Sequence, residues 1–178
     1  MIRLVTGGVR SGKSRFAEDL AKEMGQRVLY VATGVVTDKE MQARVQRHRE
    51  RRPREWGLVE EPLHLTQALS KGPERDGILV DCLSTWVANR LMQLPEEDGE
   101  ERRDAVVKEM EEEMERVLEV LKEGEAVLVT SETGLGGVAM TPLGRLFQDT
   151  LGSINQQTAR RAEEVWMVVS GVPWKVKG

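Results

Sequence analysis

Residues Gly7-Gly8-Val9-Arg10-Ser11-Gly12-Lys13-Ser14 carry the spacing Gly-x4-Gly-Lys-Ser. They lie between a β-rich run, "RLVTG", and the stretch "RFAEDLAKEM", in which Phe16, Leu20 and Met24 recur at helical intervals. Glycines at both ends let consecutive backbone N–H groups turn toward one point, and the helix N-terminus adds its positive end. Such a segment is built to hold phosphate oxygens. Lys13 can reach the β and γ phosphates of a nucleoside triphosphate, and the Ser14 hydroxyl can ligate Mg²⁺. Asp81 closes the apolar run "ILVD", the position from which a strand-end carboxylate steadies the Mg²⁺ shell. The alternative for Asp81 is a turn or cap after the strand.

A second cluster raises a different chemistry. "RVQRHRERRPREW", Arg44 to Trp56, sets six arginines around His48, one of two histidines in the chain. At helical spacing Arg44 and His48 share a face. Neighbouring guanidinium groups disfavour the imidazolium, so they would hold His48 neutral, the nucleophilic form, and could also bind triphosphate oxygens. The residues alone fit equally well a solvated arginine-rich helix with an incidental histidine.

The elements that must position these groups follow from periodicity. "RVLYVAT", Arg27 to Thr33, is a continuous apolar run, as expected of a strand covered on both faces. Thr37 and Glu40 have capping-box spacing, which predicts a helix from near Asp38 until Pro53 forbids its continuation. "GLVEEP" reads as a short strand, "LHLTQAL" as a short helix and Gly77 to Ser84 as another buried strand. Leu94 to Arg103 is rich in proline, glycine and acid and reads as an exposed connection. Val107, Met110, Met114, Val117 and Leu121 then mark one face of a long helix, which under three heptads suits packing on a sheet better than a coiled coil. "EAVLVTSE" is a strand, "TGLGGVAM" a loop, Pro142 to about Glu163 a helix, and "VWMVVSG" a strand followed by the tail "PWKVKG". The alternation implies an α/β fold of the P-loop NTPase type: a mostly parallel sheet with helices on both faces and a short C-terminal strand. Ligands of such sheets sit at the C-terminal strand ends.

Composition narrows the function classes. A chain of 178 residues suits a single domain, 1–178, with a core that needs no staples. The net charge of −4 argues against bulk binding of nucleic acid, so the Arg44–Arg54 cluster must act locally. One cysteine, Cys82, gives no internal disulfide, and no run approaches the roughly 18 apolar residues of a membrane span. The opening "MIRLVTGG" is too short in apolar core for a signal peptide, so a cytoplasmic protein is expected. His64 reads as a surface or core histidine, and Cys82 as a small buried residue in its strand.

Taken in order, "GGVRSGKS", "YVAT" with "DKEMQARVQRHRERRPREW", "VEEP", "LVDCLSTWVAN", "SETGLGGV" and "RLFQDTLGSINQQTARRAEEVWMVVSG" resemble, nearly end to end, the bifunctional adenosylcobinamide kinase / adenosylcobinamide-phosphate guanylyltransferase family. The resemblance implies two reactions. A nucleoside triphosphate, ATP or GTP, phosphorylates the aminopropanol hydroxyl of adenosylcobinamide. GMP from GTP is then transferred to that phosphate through a guanylylated histidine, here His48 in Arg44-Val45-Gln46-Arg47-His48. It further implies nucleotide contacts from Gly7, Gly8, Val9, Arg10, Ser11, Gly12, Lys13 and Ser14, from Thr33, Gly34 and Val35, from Arg49, Glu50, Arg51 and Arg52, and from Glu60 and Asp81, together with Mg²⁺ and a homotrimer. Glu60 could hydrogen-bond a ribose or guanine donor, or be a surface glutamate. The loop Ser131-Glu132-Thr133-Gly134-Leu135-Gly136-Gly137-Val138-Ala139 departs from the family pattern by lacking its leading Asn and closing Pro. Glu132 is a candidate for polarising a hydroxyl. Two readings compete: a P-loop small-molecule kinase in which His48 only binds phosphate, and a nucleotide-gated or nucleic-acid-binding P-loop protein, disfavoured by the acidity and the scarcity of interleaved aromatics.

Overall fold

The computed structural model describes residues 1–35, 53–71, 75–95 and 99–178. The expected helix from Asp38, with His48 and Arg49 to Arg52, lies outside the described residues. Seven strands form one sheet: β1 (Ile2–Gly7), β2 (Val28–Ala32), β3 (Gly57–Glu60), β4 (Gly77–Asp81), β5 (Glu125–Val129), β6 (Glu164–Val169) and β7 (Val172–Lys177), in the spatial order β3-β2-β4-β5-β1-β6-β7. The first six run parallel, and β7 pairs antiparallel with β6. The tail "PWKVKG" is therefore part of a strand. Its residues are all exposed, with Val172, Trp174 and Val176 alternating with Pro173, Lys175 and Lys177, and the pairing with β6 supplies the order.

The described helices are α1 (Lys13–Glu23), α2 (Leu65–Ser70), α3 (Leu83–Leu91), α4 (Glu100–Leu121) and α5 (Pro142–Arg161). The strand expected to reach Ser84 ends at Asp81, and α3 starts at Leu83. Cys82 is thus the residue before a helix, half-buried, with its Sγ 3.1 Å from Ser84 Oγ and 3.0 Å from Thr85 Oγ1. The exposed connection also ends earlier than expected, because Glu100 and Glu101 occupy the first turn of α4, where carboxylates favour the helix dipole. α5 begins as read: Thr141 Oγ1 accepts from the Gly144 N–H at 3.1 Å, and Pro142 needs no donor in the first turn.

The central strands β2, β4 and β5 are buried along almost their whole length, which is why their runs do not alternate. One face of the sheet packs Leu29, Val31, Ile78, Val80 and Leu128 against α2 to α5. There α4 buries Val106, Met110, Met114, Val117, Leu118 and Leu121, so its apolar face lies inside this chain and is unavailable to a coiled-coil partner. The opposite face packs Val5, Val28, Tyr30, Leu79, Val127 and Val129 under Ala17, Leu20 and Ala21 of α1. Each fully buried Leu or Met contributes about 1.5–3 kcal/mol relative to exposure.

Candidate functional site

All six parallel strands end at one edge, so the loops that follow β1 to β6 share a rim. Gly12 precedes α1 with φ 94, a left-handed conformation that a side chain resists, and a Cβ there would lie 3.3 Å from Gly171 Cα. The β6–β7 turn braces the loop from that side, with the Gly171 N–H donating to Ser11 O at 2.8 Å. Lys13 Nζ donates to Gly8 O at 3.1 Å, folding the lysine across the loop. Ser11 Oγ is buried beneath Gly7 with no hydrogen-bond partner among the described residues. Val9 and Arg10 are exposed at the loop tip, Arg10 with φ 58.

From its start beside this loop, α1 crosses β5 and β4 on its way to β2, and this carries Ser14 over the end of β4. Ser14 Oγ lies 3.4 Å from Asp81 Oδ1, and the Tyr30 hydroxyl donates to Asp81 Oδ2 at 2.8 Å. A hydroxyl and a carboxylate converging below a phosphate-type loop form a hard-oxygen set that suits Mg²⁺, which is held by one or two protein oxygens plus substrate phosphates. Among the described residues no group of three His, Cys, Asp or Glu side chains forms a self-sufficient metal cage.

The other candidates divide. Thr33 is fully buried, and its hydroxyl is committed to the backbone of Cys82, accepting from its N–H at 2.9 Å and donating to its carbonyl at 2.8 Å. It ties the ends of β2 and β4 together. Gly34 and Val35, just beyond, are exposed on the rim. Glu60 is exposed at the end of β3, and the register sets Glu60 against Ala32 and Ala32 against Asp81, so Glu60 and Asp81 face the α1 side roughly 9–10 Å apart, two strand spacings. Glu132 follows β5, the strand between those that end in the P-loop and in Asp81, and is half-buried. Neighbouring Ser131 accepts at its Oγ from Ser84 at 3.2 Å and at its carbonyl from Asn155 at 3.0 Å. His64 is exposed at the start of α2, as expected of a surface histidine.

Burial opposes ionisation of Glu61, which follows β3, but the N–H groups of Leu63 and His64 and the Lys71 ammonium outweigh it and hold its carboxyl below the ordinary value. The carboxylate fixes the turn that leads into α2. Sequence reasoning missed Tyr30 and Asn89. Asn89 Nδ2 donates to Thr33 O at 2.8 Å and Pro62 O at 3.2 Å, joining the loops after β2 and β3. The signal for Tyr30 was one hydroxyl inside the apolar run "VLYVA", since a buried phenol needs a partner.

A parallel sheet whose first strand feeds a Gly-rich loop and helix, with a hydroxyl facing a strand-end aspartate, defines a P-loop α/β protein. The chain belongs to the cobinamide kinase / cobinamide phosphate guanyltransferase family, whose model matches residues 3–176. It is 41% identical to the bifunctional adenosylcobalamin biosynthesis protein CobU of Salmonella typhimurium, across 99% of this chain and 100% of that protein. It is 43% identical to the bifunctional adenosylcobalamin biosynthesis protein CobP of Pseudomonas aeruginosa, across 98% and 96%. Identity to the CobU protein of Escherichia coli is 39%, across 99% and 100%. Among the described residues no helix is long and apolar enough to cross a membrane.

Proposed function

We propose that this chain is a bifunctional enzyme of cobalamin biosynthesis. It transfers the terminal phosphoryl group of ATP or GTP to the aminopropanol hydroxyl of adenosylcobinamide, and then transfers GMP from GTP to the resulting phosphate, giving adenosylcobinamide-GDP. In the second reaction an imidazole nitrogen of His48 attacks the α-phosphorus and the bond to the pyrophosphate oxygen breaks. The substrate phosphate oxygen then attacks the same phosphorus and the N–P bond breaks, freeing the histidine. The arginines from Arg49 to Arg52 steady the triphosphate and keep His48 neutral.

What carries this reading is the meeting of Lys13, Ser14 and Asp81 at the rim of the sheet in a chain that belongs to this family from residue 3 to residue 176. In this reading residues Gly7 to Ser14 cradle the phosphates, Gly34, Val35 and Glu60 contact the rest of the nucleotide, and Thr33 shapes the rim from beneath. Ser14 and Asp81 would hold Mg²⁺, which when bound offsets charge on the phosphate oxygens. Residues 1–178 act as one catalytic domain in the cytoplasm, without nucleic acid, in a homotrimer. The exposed Val172, Trp174 and Val176 on β7 offer an apolar edge for such assembly.

The deciding experiment incubates the protein with α-labelled or γ-labelled GTP and Mg²⁺, followed by alkaline denaturation. Label from the α position that is retained in alkali, lost in acid and absent from His48→Asn supports the histidine intermediate. Unlabelled wild type, or full labelling of His48→Asn, would reduce the chain to a P-loop kinase. His48→Asn should retain phosphorylation of adenosylcobinamide.

A further inference from the structure

Tyr30 sits in the middle of β2, 3% exposed, on the face covered by α1. The β2–β4 register sets Tyr30 against Leu79 and Ala32 against Asp81, so Tyr30 and Asp81 are diagonal neighbours on one face, a separation an aromatic side chain spans. The Tyr30 hydroxyl donates to Asp81 Oδ2 at 2.8 Å, while Oδ1 of the same carboxylate lies 3.4 Å from Ser14 Oγ. The last torsion of an aspartate is broad and close to two-fold, so an untethered carboxylate at a strand end samples many orientations. A hydrogen bond to one oxygen from a ring packed in the core removes that freedom, because the ring cannot follow the carboxylate.

We propose that Tyr30 is a positioning residue for the nucleotide site: its hydroxyl fixes the Asp81 carboxylate so that Oδ1 is presented toward Ser14 and a divalent cation. The proposal rests on the reading that Ser14 and Asp81 hold Mg²⁺. Phenylalanine would fill the same volume in the core, so the hydroxyl contributes orientation in addition to packing. Fixing the carboxylate before the cation arrives lowers the ordering cost of binding.

The test measures the Mg²⁺ concentration that gives half-maximal binding of a fluorescent GTP analogue. Wild type, Tyr30→Phe, Asp81→Asn and the double variant are compared, each also titrated with the analogue in EDTA. Tyr30→Phe should raise the Mg²⁺ midpoint about tenfold, the worth of a hydrogen bond at the lower end for charged groups, with the affinity in EDTA unchanged. In the Asp81→Asn background the same substitution should add nothing. The comparison uses midpoints rather than amplitudes, so a smaller folded fraction does not enter. An unchanged midpoint in Tyr30→Phe, an equal shift in both backgrounds, or an equal loss of affinity with and without Mg²⁺ would overturn the proposal. If Asp81→Asn itself leaves the midpoint unmoved, the cation reading of Asp81 fails, and the role of Tyr30 falls with it.

Discussion

The Ser14 hydroxyl stands 3.4 Å from Asp81 Oδ1, although 67 residues separate the two in the chain. The contact exists because α1 must cross β5 and β4 to deliver the chain from β1 to β2. A helix whose first turn is pinned by the phosphate loop therefore passes over β4, the strand that ends in Asp81.

Lys13→Ala should cut kcat/KM for phosphorylation of adenosylcobinamide by at least about 100-fold, the usual loss when a preorganised donor to developing charge is removed. Thermal stability should hardly change, since among the described residues the lysine tip bonds only to the Gly8 carbonyl. A melting temperature that fell in step with activity would show instead that Lys13 acts through the fold.

Gly12→Ala should weaken nucleotide binding without abolishing the fold. Its φ of 94 costs a side chain on the order of 1–2 kcal/mol, and the added Cβ would press on Gly171 Cα at 3.3 Å. Calorimetric titration with GTP should give a dissociation constant raised about tenfold or more, and wild-type affinity would count against the brace between the loop and the β6–β7 turn.

Arg90 on α3 and Glu113 on α4 form an ion pair at 2.8 Å with side chains 13% and 8% exposed. Glu113 also accepts from the Thr66 N–H at 3.3 Å, and Arg90 donates to Leu63 O at 3.3 Å. Arg90→Ala should destabilise by about 3–5 kcal/mol, because it strands a buried carboxylate, whereas Arg90→Met with Glu113→Leu should recover most of the loss. Urea denaturation of both variants measures this, and a double variant less stable than Arg90→Ala contradicts it.

Met114→Ala should cost about 2–5 kcal/mol, since the side chain is fully buried between α4 and the sheet and leaves a cavity. The same measurement on Met92→Ala, 73% exposed, should show a change within about 0.5 kcal/mol.

Stability should fall in acid through Glu163 and Glu164. The Ile2 N–H holds the Glu163 carboxyl below its ordinary value of 4.5 against a smaller burial effect. The Lys175 ammonium, then the Trp166 indole N–H, do the same for Glu164. Groups depressed on folding stabilise fully above the unfolded value, and this is lost as pH falls through the folded one. The melting temperature should therefore drop below about pH 4.5, and Glu163→Gln should flatten part of that slope. An identical slope in the variant would remove Glu163 from the account.

Much of this fold is legible in the chain because its signals are local. Gly7-x4-Gly12-Lys13-Ser14, the continuous apolar runs of β2, β4 and β5, and the Met110–Met114–Leu121 stripe each express the geometry of one element. The helix at Leu83 escaped because Cys82 makes no side-chain cap and Cys82-Leu83 extend the apolar end of β4, although Leu83, Trp86, Val87 and Leu91 hold helical spacing, and β7 is ordered by its pairing with β6 rather than by burial, since all its residues are exposed. The bonds between the Thr33 hydroxyl and the Cys82 backbone were not legible, because they exist only where β2 and β4 are neighbours, which strand order decides.

By itself the sequence determined a phosphate-binding loop, an aspartate at a strand end, a histidine among arginines and a parallel α/β alternation. Those are matters of residue type and period. Tertiary structure alone decided that Asp81 sits under Ser14, that Tyr30 holds its other oxygen, and that the β6–β7 turn braces Gly12. Contacts between residues dozens of positions apart depend on which strands become neighbours, and that order is set by how α1 and the other crossovers pack on the two faces of the sheet.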